Sequence, residues 1–282
     1  MTGLRPQPPD DMNPEPSLPP STAPEEKKAR YAAPALEKGL DILELLSDTT
    51  DGYTLNQLAQ KLGKGVSQIF RMVVTLERRG YIQADDNDRY TLTLQLFQLA
   101  HQHPPVKRLS QVALPFLHEL AQRTQQSCHL AVYEQGRVVV LAQVDSPERW
   151  SFGLKTGSLM GLTDTSSGHI LLAYRNEIER ARMLNSHATV DGELRMDPGQ
   201  LLSMLADVRS HGYSLMRSIQ INGVTNIAFP VYGPGRQVIA AINIPHIARI
   251  DGAPRPTIDQ VKAAQADICE RLSRQLGSGS SV

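Results

Sequence analysis

Apolar residues begin to recur at helical spacing at Ala35: Leu36, Leu40, Leu43 and Leu46 predict one side of a first helix ending near Ser47, and Asp51-Gly52 turns the chain onward. Leu55, Leu58, Ala59 and Leu62 repeat every three to four residues and predict a second helix, stopped by Gly63. In the third, Ile69, Met72, Val73 and Leu76 make a buried stripe, while Ser67, Arg71, Thr75 and Arg78 fall on an outward face. The break LGKG holds Gly63 and Gly65, both read as supplying positive-φ freedom, and it sets the two short helices at the steep angle of a helix-turn-helix. Tyr81 to Ala84 and Tyr90 to Thr93 then predict two short strands around the turn Asp85-Asp86-Asn87-Asp88. A hairpin directly after such a helix is a wing, with Arg89 at its base.

Further along, Leu94, Phe97, Leu99 and Ala100 predict a linker helix broken at Pro104-Pro105. A longer helix follows, with Val106, Leu109, Val112, Ala113, Phe116, Leu117 and Leu120 on its apolar side. An apolar face of that size calls for a partner domain or a second subunit to cover it. Past Ser127 the period changes. CHLAVYE, RVVVLAQVD and WSFGLK predict strands, Ile170 to Leu184 and Gln200 to Arg209 helices, NIAFPVY and VIAAINI two strands joined by GPGRQ, and Thr257 to Leu276 a last helix. Without regular βαβ alternation this mixture indicates an α+β domain on an antiparallel sheet. The organisation expected is a Pro-rich disordered tail over 1–30, a winged helix-turn-helix domain over 31–93, a linker helix over 94–105, an effector-binding domain over 106–276 and a flexible tail over 277–282.

Composition changes the picture in three places. Eight of the 19 prolines lie in the first 30 residues, which have too little apolar surface to offset ordering. The chain is neutral overall, with 29 basic and 29 acidic residues. Yet between Thr54 and Ile82, Lys61, Lys64, Arg71, Arg78 and Arg79 face Glu77 alone, and a local basic patch is enough to bind phosphates. No apolar run approaches membrane-span length, and no cationic-then-apolar start marks a signal peptide, so a cytoplasmic protein is expected. Cys128 and Cys269 are distant and lack a metal-type spacing, which fits a reduced compartment.

Candidate chemistry follows from two stretches. On the outward face of the third helix, Gln68 can read an adenine edge, Arg71 a guanine or a phosphate, and Ser67 either, while Lys64 and Arg89 are placed for phosphates; Arg89 can also reach the minor groove. The run TDTSSGH offers Asp164 and Thr165 as N-caps and Gly168 for close approach. The N–H groups around Ser166 to His169 then form either an anion site at a helix start or the start of an ordinary capped helix. His129 and His246 flank the strands beside Cys128, yet adjacent strand residues face opposite sides, which argues against a zinc site. Catalysis finds no support: GSLMG lacks a central serine, TDTSSGH lacks a positioned base, and YGPGRQV reads as a hairpin turn rather than a dinucleotide loop. No cofactor is expected. A small-molecule-binding or hydrolytic enzyme, and an interaction module without a ligand, are the alternatives to a sensor.

The chain resembles the IclR-type transcriptional regulators from Ala35 to Leu276. The carriers are ALEKGLDILELL, IFRMVVTLERRGYI with DDNDRYTL, GLTDTSSGHILLAY, GYSLMRSIQINGVTNIAFPV and AAINIP, in that order. The resemblance implies a winged-helix DNA-binding domain, a linker helix and a GAF- or profilin-like effector domain. It further implies a homodimer or homotetramer, double-stranded operator DNA as partner, and a small organic effector, often a carboxylate or aromatic metabolite. The family's effector-binding positions fall on Ser166, Ser167, Met216, Asn226 and Asn243, and a further one on Pro245, which has no donor. Where relatives carry an acidic pair this chain has Ser218 and Ile219, and Met216 stands where a carboxylate can occur. A ligand other than the small keto-acids is therefore expected. Val66, Ser67 and Gln68 replace the common Lys-Ser-Thr, so no operator sequence carries over.

Overall fold

The computed structural model describes residues 33–102 and 104–278, with the side chains of 101 and 104–106 left out. The expectation for residues 1–30 lies outside the described residues. The chain divides into two compact units at Gln98/Leu99.

The first unit holds α1 (Pro34–Ser47), β1 (Tyr53–Thr54), α2 (Leu55–Lys61), α3 (Val66–Arg78), β2 (Ile82–Ala84) and β3 (Arg89–Leu92). Its core is Ile42, Leu46, Leu58, Ala59, Ile69, Val73 and Ile82. Leu36 and Leu40, expected inside, are 63% and 48% exposed. The helix is apolar on more than one side, and Gly39, Ile42 and Leu46 make the stripe that packs. A reciprocal box starts α2: the Thr54 hydroxyl accepts from the Gln57 N–H and the Gln57 side chain accepts from the Thr54 N–H. Of the two turn glycines only Gly63 is left-handed, at φ +62°. The N–H groups of Gly63 and Lys64 return to the carbonyls of Gln60 and Ala59, closing α2 with a Schellman turn. Gly65, at φ −73°, instead precedes α3 in extended conformation. The sheet order is β1-β3-β2, with Tyr53 opposite Tyr90. The two-residue strand β1 is too short to show a period.

Helix α4 (Gln95–Gln102) precedes α5 (Pro104–Thr124). The second unit then runs β4 (Cys128–Glu134), β5 (Arg137–Val144), β6 (Leu159–Met160), α6 (Ser166–Ala173), α7 (Glu177–Asn185), α8 (Pro198–His211), β7 (Ser214–Arg217), β8 (Val224–Tyr232), β9 (Val238–Ile247) and α9 (Ile258–Ser278). One antiparallel sheet results, in the order β6-β5-β4-β9-β8-β7. Its strands alternate faces. Cys128, Leu130, Ile242 and Ile244 pack with Leu109, Ala113, Leu117 and Leu120 of α5 and Val261, Ile268 and Leu272 of α9. On the other face Ala131, Ala228 and Ala241 meet Ile170 to Ala173 of α6 and Leu201, Leu205 and Val208 of α8. The apolar side of α5 is thus covered largely within its own unit.

Polar ties fix α9. Gln265, fully buried, donates to the carbonyls of Ile227 and Ile242 at 2.9 Å each. Arg271 forms a two-pronged pair with Glu119 of α5 at 2.6 and 2.9 Å. Three expectations fail here. WSFGLK forms no strand, because it crosses over the cavity described next, with Phe152 and Leu154 turned into it. The stretch Ile170 to Leu184 is two helices, since Asn176 caps α7 by accepting from the Glu179 N–H. Gly277 and Ser278 belong to α9 rather than to a tail, and 279–282 lie outside the described residues.

Candidate functional site

In the first unit the outward face of α3 carries Ser67, Gln68, Arg71, Thr75 and Arg78, all exposed, with Lys64 exposed in the preceding turn. Two of these expected contacts differ in detail. Gln68 accepts from the Gly65 N–H at 3.3 Å through Oε1, so its amide oxygen already caps the helix with one lone pair, leaving the other and Nε2 uncommitted. Arg89 is not a free arm: its Nε donates to the Asp51 carbonyl at 2.9 Å and its Nη2 to that of Gly52 at 3.2 Å, tying β3 to the turn before β1. The wing tip is closed by Asp85, whose carboxylate accepts from the N–H groups of Asn87 and Arg89 and is held below its ordinary pKa chiefly by the latter bond. Beside that face α3 also presents Val66, Phe70 and Val74, exposed by 38%, 50% and 42%. Their four-residue spacing was the available signal, overlooked beside the cations. Exposed apolar side chains on such a helix suit thymine methyl groups.

The second unit holds a cavity of about 160 Å³. On the α6 side of the sheet the small Ala131, Ala228 and Ala241 admit the helix closely. Further along, the same side continues in polar residues: His129 on β4 pairs across to Asn243 on β9, and Asn226 on β8 pairs to Pro245. Ser166 and Ser167 enter from the start of α6, and Met216 from β7. All of these line the one cavity. The apolar wall comes from Phe152, Leu154, Leu159, Met160, Val190, Ile219, Ile221 and Val224.

The start of α6 departs from expectation. Thr165 alone is the N-cap, accepting from the Gly168 N–H at 3.1 Å, and the His169 N–H turns back to the Thr165 carbonyl. The Ser166 and Ser167 N–H groups remain as first-turn donors. Asp164 is not a cap: its Oδ2 accepts from the Leu194 N–H and the Gln220 side chain, each at 2.9 Å, while Oδ1 has no partner. Burial, then the nearby Glu193, raises its pKa. Gly168 permits the close packing, because a Cβ there would lie 2.1 Å from the Leu162 carbonyl oxygen.

Buried polar atoms without a partner collect here: both His129 ring nitrogens, Asn243 Oδ1, Ser166 Oγ and Asp164 Oδ1. Asn243 donates to Asn226 Oδ1 at 3.3 Å through its amide nitrogen only. Each such orphan costs about 1–3 kcal/mol unless something fills the site. Burial alone lowers the His129 pKa to about 4, so the ring is a neutral donor and acceptor. The sequence leaves open whether His129 enters a ligand pocket, and it reads Asp164 only as a helix cap. A histidine on the inner face of an otherwise apolar strand was the signal.

The metal reading fails on geometry. Cys128 faces away from His129 and donates to the Leu117 carbonyl, with burial pushing its thiol up to about 12. No group of three or more potential ligands occurs among the described residues, and among them no helix is long and apolar enough to cross a membrane.

A winged helix-turn-helix on one unit, beside a second unit that holds a polar-floored cavity, defines a DNA-binding regulator. The model of the bacterial transcriptional regulator IclR C-terminal region matches residues 105–270, and that of the IclR helix-turn-helix domain residues 35–86. The chain belongs to the IclR family of transcriptional regulators, and it is a regulator rather than an enzyme. It is 26% identical to the glycerol operon regulatory protein of Streptomyces coelicolor, over 87% of this chain and 97% of that one. It is 25% identical to the Pca regulon regulatory protein of Pseudomonas putida, over 93% and 97%. Its fold is that of an IclR homolog from Microbacterium hydrocarbonoxydans complexed with 4-hydroxybenzoate, at TM-score 0.72 and 22% identity over 86% of this chain and 98% of that one. The Thermotoga maritima IclR gives 0.68 at 21% identity, over 86% and 98%.

Proposed function

We propose that this chain binds an operator through α3, with Ser67, Gln68 and Arg71 against base edges and Lys64 on phosphates, and that a small organic effector in the cavity of the second unit alters that binding. The observation that carries this reading is the meeting of Ser166, Ser167, Met216, Asn226 and Asn243, from four separate elements, around one cavity. Pockets of this kind, apolar with few convergent polar groups, suit small ligands. The solved relative that holds 4-hydroxybenzoate supports an aromatic effector. The protein acts in the cytoplasm as a homodimer or homotetramer; the exposed Leu36 and Leu40 on α1 favour burial against a second copy.

Ser166→Leu tests the assignment of the cavity. The bulk should abolish the ligand response in a mobility-shift titration while operator binding persists. An unchanged response would place the effector elsewhere.

A further inference from the structure

The cavity also carries information about what it holds. Ser166, His129, Asn243 and Asp164 all line it, each is at least nine-tenths buried, and each has a polar atom without a partner. Counted by chemistry, Asn243 Oδ1 and Asp164 Oδ1 accept, neutral His129 donates at one nitrogen and accepts at the other, and Ser166 Oγ does both. Such a set calls for groups that can donate and accept at once, which a hydroxyl does and a carboxylate does not.

Charge points the same way. Among the described residues no lysine or arginine lines the cavity, whereas Asp164 and Asp191 do, and Glu193 lies near Asp164. Against these stands only the start of α6, worth about half a positive charge. Size narrows the class further. The volume of about 160 Å³ is close to the roughly 150 Å³ engineered cavity that accepts benzene. Aromatic and branched walls from Phe152, Ile219 and Val224 suit the faces of one ring.

We propose that the effector is an uncharged six-membered ring bearing at least two hydroxyl groups, read by His129 and Asn243, and that Asp164 selects against the corresponding carboxylate. This rests on the cavity being the effector site. A dihydric phenol and a cyclic polyol share the required chemistry, and the apolar wall favours the phenol.

Isothermal titration of the full chain with catechol, resorcinol, hydroquinone, myo-inositol, benzoate and 4-hydroxybenzoate tests it. At least one dihydric phenol should bind about tenfold or more tighter than either benzoate, the difference that one or two hydrogen bonds supply. Asp164→Asn, which keeps the side-chain shape and offers an amide donor, should tighten benzoate and shrink that ratio about tenfold. His129→Gln should weaken the phenol by a similar factor. Inositol binding in place of phenols keeps the hydroxyl reading and changes the ring. Benzoates binding as tightly as phenols, or a ratio untouched by Asp164→Asn, overturn the proposal, as does the absence of binding by every uncharged ring at millimolar concentration. Ser166→Leu separates the two failures. If it abolishes benzoate binding, the cavity is the site and the class is wrong; if it leaves phenol binding intact, the cavity itself is not the site.

Discussion

Replacing His129 by glutamine gives a prediction whose size follows from burial. The imidazole is 1% exposed, both nitrogens lack partners, and burial alone lowers its pKa from 6.5 to about 4. In the unfolded chain it takes up a proton as pH falls through 6.5, whereas in the folded chain it does so only near 4. The unfolded state therefore binds more protons in that window, and stability is lost as pH falls across it. At 1.36 kcal/mol per unit the full loss is about 3 kcal/mol, reached near pH 4. Asp164, facing the same cavity, has a raised pKa and contributes with the opposite sign; Asp191 also lines it, while His169 and His246 shift in the same sense as His129. All four groups persist in His129→Gln, so the difference between the two proteins isolates the imidazole. Urea unfolding followed by the fluorescence of Trp150, the one tryptophan and a residue of the second unit, supplies the measurement. The stability of wild type relative to the variant should fall by about 3 kcal/mol between pH 7.5 and 4. A difference that does not move with pH would refute a neutral, unpartnered His129.

Three further substitutions probe other joints. Gln68→Ala should cost about 1–3 kcal/mol on the selected operator and little on random duplex; equal losses in fluorescence anisotropy would show a helix cap and no base reading. Arg89→Ala removes two bonds to backbone carbonyls and should destabilise the first unit by about 1–3 kcal/mol, with operator affinity little changed below its melting point. A tenfold affinity loss at unchanged stability would make Arg89 a DNA contact after all. Gly168→Ala drives a Cβ against the Leu162 carbonyl and should lower stability in thermal unfolding by about 1–3 kcal/mol; wild-type stability would contradict the close approach of that helix start.

The helix-turn-helix was legible because its amphipathic period and Gly63 are local signals. Leu36 and Leu40 were misplaced for the same reason: an apolar residue at the right spacing does not say which of two apolar sides is covered within the unit. WSFGLK has strand composition, yet Phe152 and Leu154 are drawn to a cavity that no local pattern announces. The strand Ser214–Arg217 lacks alternation long enough to see. Of the cavity, Asn243 was legible only through family resemblance, since sheet register rather than sequence proximity sets it beside His129, and the helix start at Ser166 was legible only as one of two readings. The places of His129 and Asp164 in the cavity could not be read from the sequence, because their significance is a missing partner, which only packing reveals.

One molecule is held to couple salt-sensitive operator binding by its first unit to the occupancy of a cavity in its second. The most direct test of that coupling is fluorescence anisotropy of the full chain on a duplex selected from random sequence, titrated across salt concentrations with and without saturating effector. Affinity should fall with salt at a slope of roughly −0.9 per phosphate contacted, and the effector should shift it by about 5- to 150-fold at each salt concentration. A chain that prefers no duplex over competitor, or whose affinity is the same with the cavity empty and filled, would contradict the account.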